Sequence, residues 1–177
     1  MVYRITRVES TCFPDAAVLD QSLAQFSLSV ADFRTLLASY ACSVPASQPG
    51  GYQQHLASDL EAFVRSALLG RTHVTRASSR YSESLGERAD LAIGGAGSGA
   101  LYVEIEFRPN VEKDLAKFQI GHHKRRLAVG VLILALDRNE LNSSYGSMPE
   151  YSKFQRVIAE FRPLHPLLLV GIGGRHF

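Results

Sequence analysis

A chain of 177 residues, 46% hydrophobic and 20% charged, holds enough apolar material for one domain with a real core and too little length for two. Its net charge of +2 permits a nucleic-acid partner without arguing for one, because strong electrostatic binders carry a marked basic excess. Cys12 and Cys42 are its two cysteines, no apolar run approaches a membrane span, and the opening MVYRITRVES lacks a signal-peptide core, so disulfide scaffolds, cysteine zinc sites and membrane proteins are set aside and a reduced, cytoplasmic setting is expected.

Residues 14–42 read as two helical stretches, and SVADFRTLLASYA offers Ser29 as N-cap with Asp32 in the first turn. CSVPASQPGGYQQ, residues 42–54, holds two prolines and two glycines and is the best linker candidate. In HLASDLEAFVRSALLG, residues 55–70, Leu56, Leu60, Phe63, Val64, Ala67 and Leu68 form one helical stripe, with Gly70 as its stop. The polar THVTRASSR, residues 72–80, is a candidate strand. A hairpin follows. Ala89, Leu91 and Ile93 alternate with Asp90 and Ala92, and Leu101, Val103, Ile105 and Phe107 alternate with Tyr102, Glu104 and Glu106. GGAGSG between them supplies the positive-φ conformations of a turn.

Beyond the hairpin, RPNVEKDLAKFQIGHHKRR predicts a helix capped by Asn110, with Val111, Leu115, Phe118 and His122 on one face. LAVGVLILAL, residues 127–136, is apolar throughout, as befits a strand buried on both faces. SSYGSM marks a loop, PEYSKFQRVIAEF a helix opening with Pro149, and PLLLVGIGG, residues 166–174, a second buried strand. An antiparallel hairpin combined with βαβ crossovers gives an α/β fold: a mixed sheet with helices on its faces. The expected organisation is one domain over 1–177, with a helical N-terminal portion to residue 50 and the core from 51 to 177.

The pattern turns Asp90, Glu104 and Glu106 to one side of the hairpin. The simplest register sets Asp90 opposite Glu104 and leaves residues 95–99 as the loop. Acidic residues are depleted in strands and like charges on neighbouring strands repel. Such a cluster is costly unless something positive sits there. A solvated sheet face is the plain alternative; a divalent-cation site is the functional one, since Mg²⁺ takes carboxylate, water and phosphate oxygens and supports phosphodiester hydrolysis.

Asp90, a glycine-rich turn, Glu104-Ile105-Glu106, a helix and a buried strand resemble the PD-(D/E)XK nuclease superfamily. The usual Asp…Glu-x-Lys pattern departs here, because Glu106 stands in place of the lysine. That departure, with KDLAKFQIGHHKRRLAVGVLIL after it, is similar to the BglII/BamHI-type restriction endonucleases, and the resemblance covers about residues 55–172. It implies a restriction-endonuclease-like αβββαβ core with a mixed five-stranded sheet flanked by helices. It also implies a Mg²⁺ cofactor held by Asp90, Glu104 and the backbone carbonyl of Ile105. Glu106 would be a second ligand or the general base. An auxiliary acid on the preceding helix would be Glu61 or Asp59, and Gln119 belongs to the family-like segment.

The implied activity is cleavage of double-stranded DNA at a fixed short sequence, with a GATC core as the first guess. The implied assembly is a homodimer, since one site per subunit must cut two antiparallel strands. The helices of residues 14–42 are candidates for its interface or for cover over the sheet. A repair or junction nuclease of the same superfamily and a non-cleaving DNA- or protein-binding module are the competing readings. Lys113, Lys117 and Lys124 fall on the outer face of their helix, either solvated or as a phosphate-contacting stripe. His122 reads as a core histidine, and GIGGRH has no following helix to make it a dinucleotide turn.

Overall fold

In chain order the elements are β1 (Val2–Phe13), α1 (Ala16–Ala24), α2 (Val30–Ala38), β2 (Ala41–Ser43), α3 (Tyr52–Arg71), β3 (Leu91–Gly94), β4 (Ala100–Glu106), α4 (Val111–His123), β5 (Leu127–Ala135), α5 (Pro149–Phe161) and β6 (Leu167–His176). The computed structural model describes residues 2–43, 52–71, 78–84, 86–94, 99–107, 110–135 and 149–177. The strands form one sheet in the order β2-β1-β6-β5-β4-β3. β4, β5 and β6 run parallel, while β3 pairs antiparallel with β4 and β1 antiparallel with β6. The expected mixed sheet with helices on its faces is therefore what the chain forms. Among the described residues it has six strands rather than the five expected.

Two strands, β1 and β2, lie in a portion read as helix and linker, while β3 to β6 are strands the sequence predicts. In β1, VYRITRVESTCF buries Tyr3 and Ile5, but its remaining positions are half-exposed or exposed. Arg4, Arg7 and Glu9 mask the alternation. Its ten-pair ladder with β6 holds it regardless of that polarity. β2 also replaces the start of the expected linker; residues 44–51 of that linker lie outside the described residues. α3 begins at Tyr52, and Gly70 sits inside its last turn rather than closing it. Of the strand expected over 72–80, residues 72–77 lie outside the described residues, and an isolated bridge, Arg80 to Arg88, remains. The SSYGSM loop is likewise outside them.

The sheet divides the core into two layers. Leu101, Val103, Val129, Val131, Ile133, Leu168 and Val170 face α1, α2 and α3. Tyr102, Leu132, Leu134, Leu167 and Leu169 face α4 and α5. β5 and β6 are apolar on both faces because both are covered. Leu19 and Leu23 of α1, Phe33, Leu36 and Leu37 of α2, and Phe26 between them are buried in the first layer. These helices spend their apolar faces on the sheet and so cover it. Ser29 is the expected N-cap of α2, and with Asp32 it forms a capping box. Among the described residues no helix is long and apolar enough to cross a membrane.

Candidate functional site

The β3–β4 hairpin has the expected register. Leu91 pairs with Val103 and Gly94 with Ala100, so one residue further on Asp90 stands opposite Glu104. The loop is residues 95–99, of which Gly99 is described and takes φ 90°, a conformation favouring glycine. Asp90 and Glu104 share the α4 side of the sheet with Ala92 and Tyr102. Asp90 Oδ2 accepts the Ile105 N–H at 2.7 Å, which ties the carboxylate to the neighbouring strand. An extended residue sends its N–H and C=O to the same edge, so Ile105 also presents its carbonyl on the Asp90 side.

The positive charge that the carboxylates demand comes from α4. Lys117 Nζ donates to Glu104 Oε1 at 2.8 Å and pairs with Asp114 Oδ1 at 2.9 Å. This corrects the expectation that Lys117 lies on the outer face: it is 9% exposed. The buried arc of α4 is wider than its apolar stripe. Val111, Leu115 and Phe118 occupy one part of it, and Asp114, Lys117 and Gly121 extend it over the end of β4. Tyr81, from the polar stretch before the hairpin, completes the roof. Its hydroxyl donates to the same Glu104 oxygen at 2.6 Å. Gly121 makes that possible, because a Cβ there would meet Tyr81 Cδ1 at 3.0 Å.

Glu104 is 2% exposed and Asp114 1%. Among the described residues one ammonium faces four carboxyls, Asp90, Glu104, Glu106 and Asp114, and the imbalance shows in their acidity. Burial raises the pKa of all four above the ordinary range, and the neighbouring negative charges add to the effect. Glu106 is pushed up to about 7, by burial first and then by Asp114 and Glu104. Burial works against the Lys117 ammonium, yet its hydrogen bonds to Glu104 and Asp114 outweigh it and hold the pKa above the usual lysine value. One oxygen, Asp114 Oδ2, is buried without a hydrogen-bond partner among the described residues.

The other sequence candidates separate clearly. Glu106 is half-buried at the end of β4 on the same face. Glu61 Oε1 pairs with Arg65 at 2.9 Å, and Arg65 also donates to the Asp90 carbonyl; Glu61 thus borders the cluster. Asp59 instead accepts the Tyr40 hydroxyl at 2.7 Å, on the other side of the sheet. Gln119 is half-buried, with no hydrogen bond to the carboxylates among the described residues. Lys113 is exposed and paired with Glu87 at 3.1 Å, and Lys124 is exposed past the end of α4. His122 is half-buried with its ring 5.7 Å from that of His165.

Sequence reasoning missed Tyr81, Asp114 and His165. Asp114, Lys117 and Gly121, spaced i, i+3 and i+7 beside the apolar stripe, were the available signal for the first two contacts of the roof. Tyr81 has no periodic neighbour to mark it.

Asp90, Glu104 and Glu106 fit a hard divalent cation in kind. They are carboxylate donors short of positive charge, beside an unpartnered buried oxygen. Among the described residues, though, no three His, Cys, Asp or Glu side chains already converge on one metal position. The Lys117 ammonium stands where Glu104 and Asp114 approach each other.

No protein-family model and no curated protein matches the chain. Among solved structures, the chain is similar to one titled "Crystal structure of free BglII", with a TM-score of 0.48 and 16% identity over 94% of this chain and 79% of that one. At that level the likeness says nothing about the site.

Proposed function

We propose that the chain is a Mg²⁺-dependent endonuclease hydrolysing phosphodiester bonds in double-stranded DNA, a sequence-specific type II restriction enzyme of the BglII/BamHI type. The observation that carries this reading is the opposition of Asp90 and Glu104 across the hairpin, with Glu106 two residues on along the same face. A buried carboxylate cluster with a single ammonium is expensive to maintain for structure alone. The resemblance of the Asp90…Glu104-Ile105-Glu106 pattern to the nuclease superfamily supplies the substrate class.

In this reading Asp90 and Glu104 hold the cation, with the Ile105 carbonyl beside them. When bound, Mg²⁺ supplies Lewis-acid polarisation of a phosphate and a more acidic water. The chain's own residues do the rest. The Ile105 N–H fixes the rotamer of Asp90, and Arg65 fixes its backbone. Tyr81 and Lys117 hold Glu104. Glu106 has no hydrogen-bond or ion-pair partner among the described residues, and its pKa near 7 suits a group that takes a proton from water at neutral pH. Each chain carries one such site, so cutting both strands calls for a two-fold dimer.

Incubation of the purified protein with a plasmid and Mg²⁺, followed by sequencing of the cut ends, tests the reading. Cleavage at one short duplex sequence, abolished by chelator, is the expected result. Intact plasmid under all divalent-cation conditions would count against it, and cuts set by DNA structure would favour a repair nuclease.

A further inference from the structure

Glu104 Oε1 accepts two hydrogen bonds, from Tyr81 and from Lys117. A carboxylate serving as a cation ligand is hindered by an ammonium bonded to it, because the two positive charges compete for the same oxygens. Lys117 nevertheless has a second anchor. It already touches Asp114 Oδ1 at 2.9 Å, and the other oxygen of that carboxylate, Oδ2, is buried with no partner among the described residues. An ammonium has three N–H donors, and leaving Glu104 frees one of them. The unpartnered Oδ2 is the nearest acceptor of the right charge on the residue that Lys117 already holds. Asp114 lies three residues before Lys117 on the same helix, so the shift requires a change of side-chain torsions and no movement of the backbone.

We infer that Lys117 is an exchangeable counter-ion of the site: it holds Glu104 in the metal-free protein and passes to both oxygens of Asp114 when a divalent cation takes Glu104. This makes Lys117 a positioning residue that acts through Glu104 and Asp114. The inference rests on the reading of the cluster as a cation site. It explains why carboxylates suited to Mg²⁺ do not converge on one point while the lysine is among them. It also accounts for the unpartnered oxygen of Asp114, which a purely structural ion pair leaves unexplained.

The experiment uses the intact protein and Mg²⁺ alone, without DNA. Calorimetric titration of wild type and Lys117→Gln, both checked for folding by circular dichroism, measures affinity. Removing the competing ammonium should tighten Mg²⁺ binding about tenfold or more. In parallel, the ¹⁵Nζ resonance of Lys117 in wild type should shift on saturation with Mg²⁺, which keeps the test decisive if the variant fails to fold. Equal or weaker binding by a folded Lys117→Gln, or an unmoved Lys117 signal in Mg²⁺-saturated wild type, overturns the exchange and leaves the cation site standing. No Mg²⁺ binding by either protein overturns both.

Discussion

Lys117 Nζ lies 2.8 Å from Glu104 Oε1, and both side chains are almost wholly withdrawn from water. Breaking such a pair from one side leaves a buried charge uncompensated, at a cost of about 3–5 kcal/mol. Lys117→Met should therefore destabilise the metal-free protein by about that amount. The double variant Lys117→Met/Glu104→Gln should recover the part of the loss that comes from Glu104, while Asp114 stays buried without its ammonium. Denaturant unfolding of the three proteins in chelator checks this. Equal losses in the single and double variants would show that the pair is not energetically coupled.

Tyr81→Phe removes a donor to the same oxygen while keeping the ring packed on Gly121. Loss of one hydrogen bond to a buried carboxylate costs about 1–3 kcal/mol. The melting temperature should fall with little change in the circular dichroism spectrum. An unchanged melting temperature would mean that Tyr81 contributes packing only.

The carboxyl acidities set a pH dependence with a definite sign. A folded-state pKa above the unfolded value means that the folded protein binds more protons, so stability falls as pH rises between the two values. For Glu106 that window runs from the ordinary 4.5 to about 7, and the raised values of Asp90, Glu104 and Asp114 act in the same direction. Metal-free protein should melt at a lower temperature at pH 8 than at pH 6.5; below that range His165, whose buried imidazole has its pKa held down to about 4, acts in the opposite sense. Mg²⁺ should raise the melting temperature mainly at the higher pH, since it binds the folded, ionised cluster. Melting scans across this range with chelator or Mg²⁺ are the measurement, and a melting temperature rising with pH in chelator would contradict the account.

The hairpin was legible because a period of two leaves no freedom once the apolar face is chosen: Leu91, Val103 and Ile105 dictate where Asp90, Glu104 and Glu106 point. The same pattern posed the electrostatic question without answering it. Lys117 was placed outside because its helix was read from the apolar stripe alone, whereas α4 buries polar Asp114 and Lys117 through the charge they share with β4. Tyr81 lies in a stretch where tertiary contacts, not periodicity, set the backbone. β1 was missed for a related reason. Its charged positions are tolerated by a strand paired with β6 along most of its length, with β2 only at Val2, Tyr3 and Arg4, and only partly covered, and no local pattern announces that.

Glu106→Lys restores the commoner Asp…Glu-x-Lys pattern but places a second ammonium near Lys117 and removes the proton acceptor. Cleavage with Mg²⁺ should be abolished or badly impaired. Near-normal cleavage by this variant would show that Glu106 is neither ligand nor base.

The dimer prediction concerns surfaces other than the apolar faces of α1 and α2, which the sheet already occupies. Light scattering in the presence of cognate duplex should give a mass corresponding to two chains. A monomer both free and on DNA would remove the basis for paired-strand cutting.

If the opposed carboxylates of β3 and β4 carry out metal-dependent hydrolysis, Asp90→Asn should remove it. Asparagine keeps the shape and the acceptor for the Ile105 N–H but removes an anionic ligand. Losing a principal ligand raises the barrier by several kcal/mol, each ~1.4 kcal/mol being tenfold in rate. Wild type and Asp90→Asn are compared for Mg²⁺-dependent plasmid cleavage, and for duplex binding in chelator. Wild type should cleave, the variant should lose at least about a hundredfold in rate, and DNA binding should be retained or tightened now that one negative charge no longer faces the phosphates. Near-normal cleavage by Asp90→Asn would contradict this expectation and put the chemistry elsewhere.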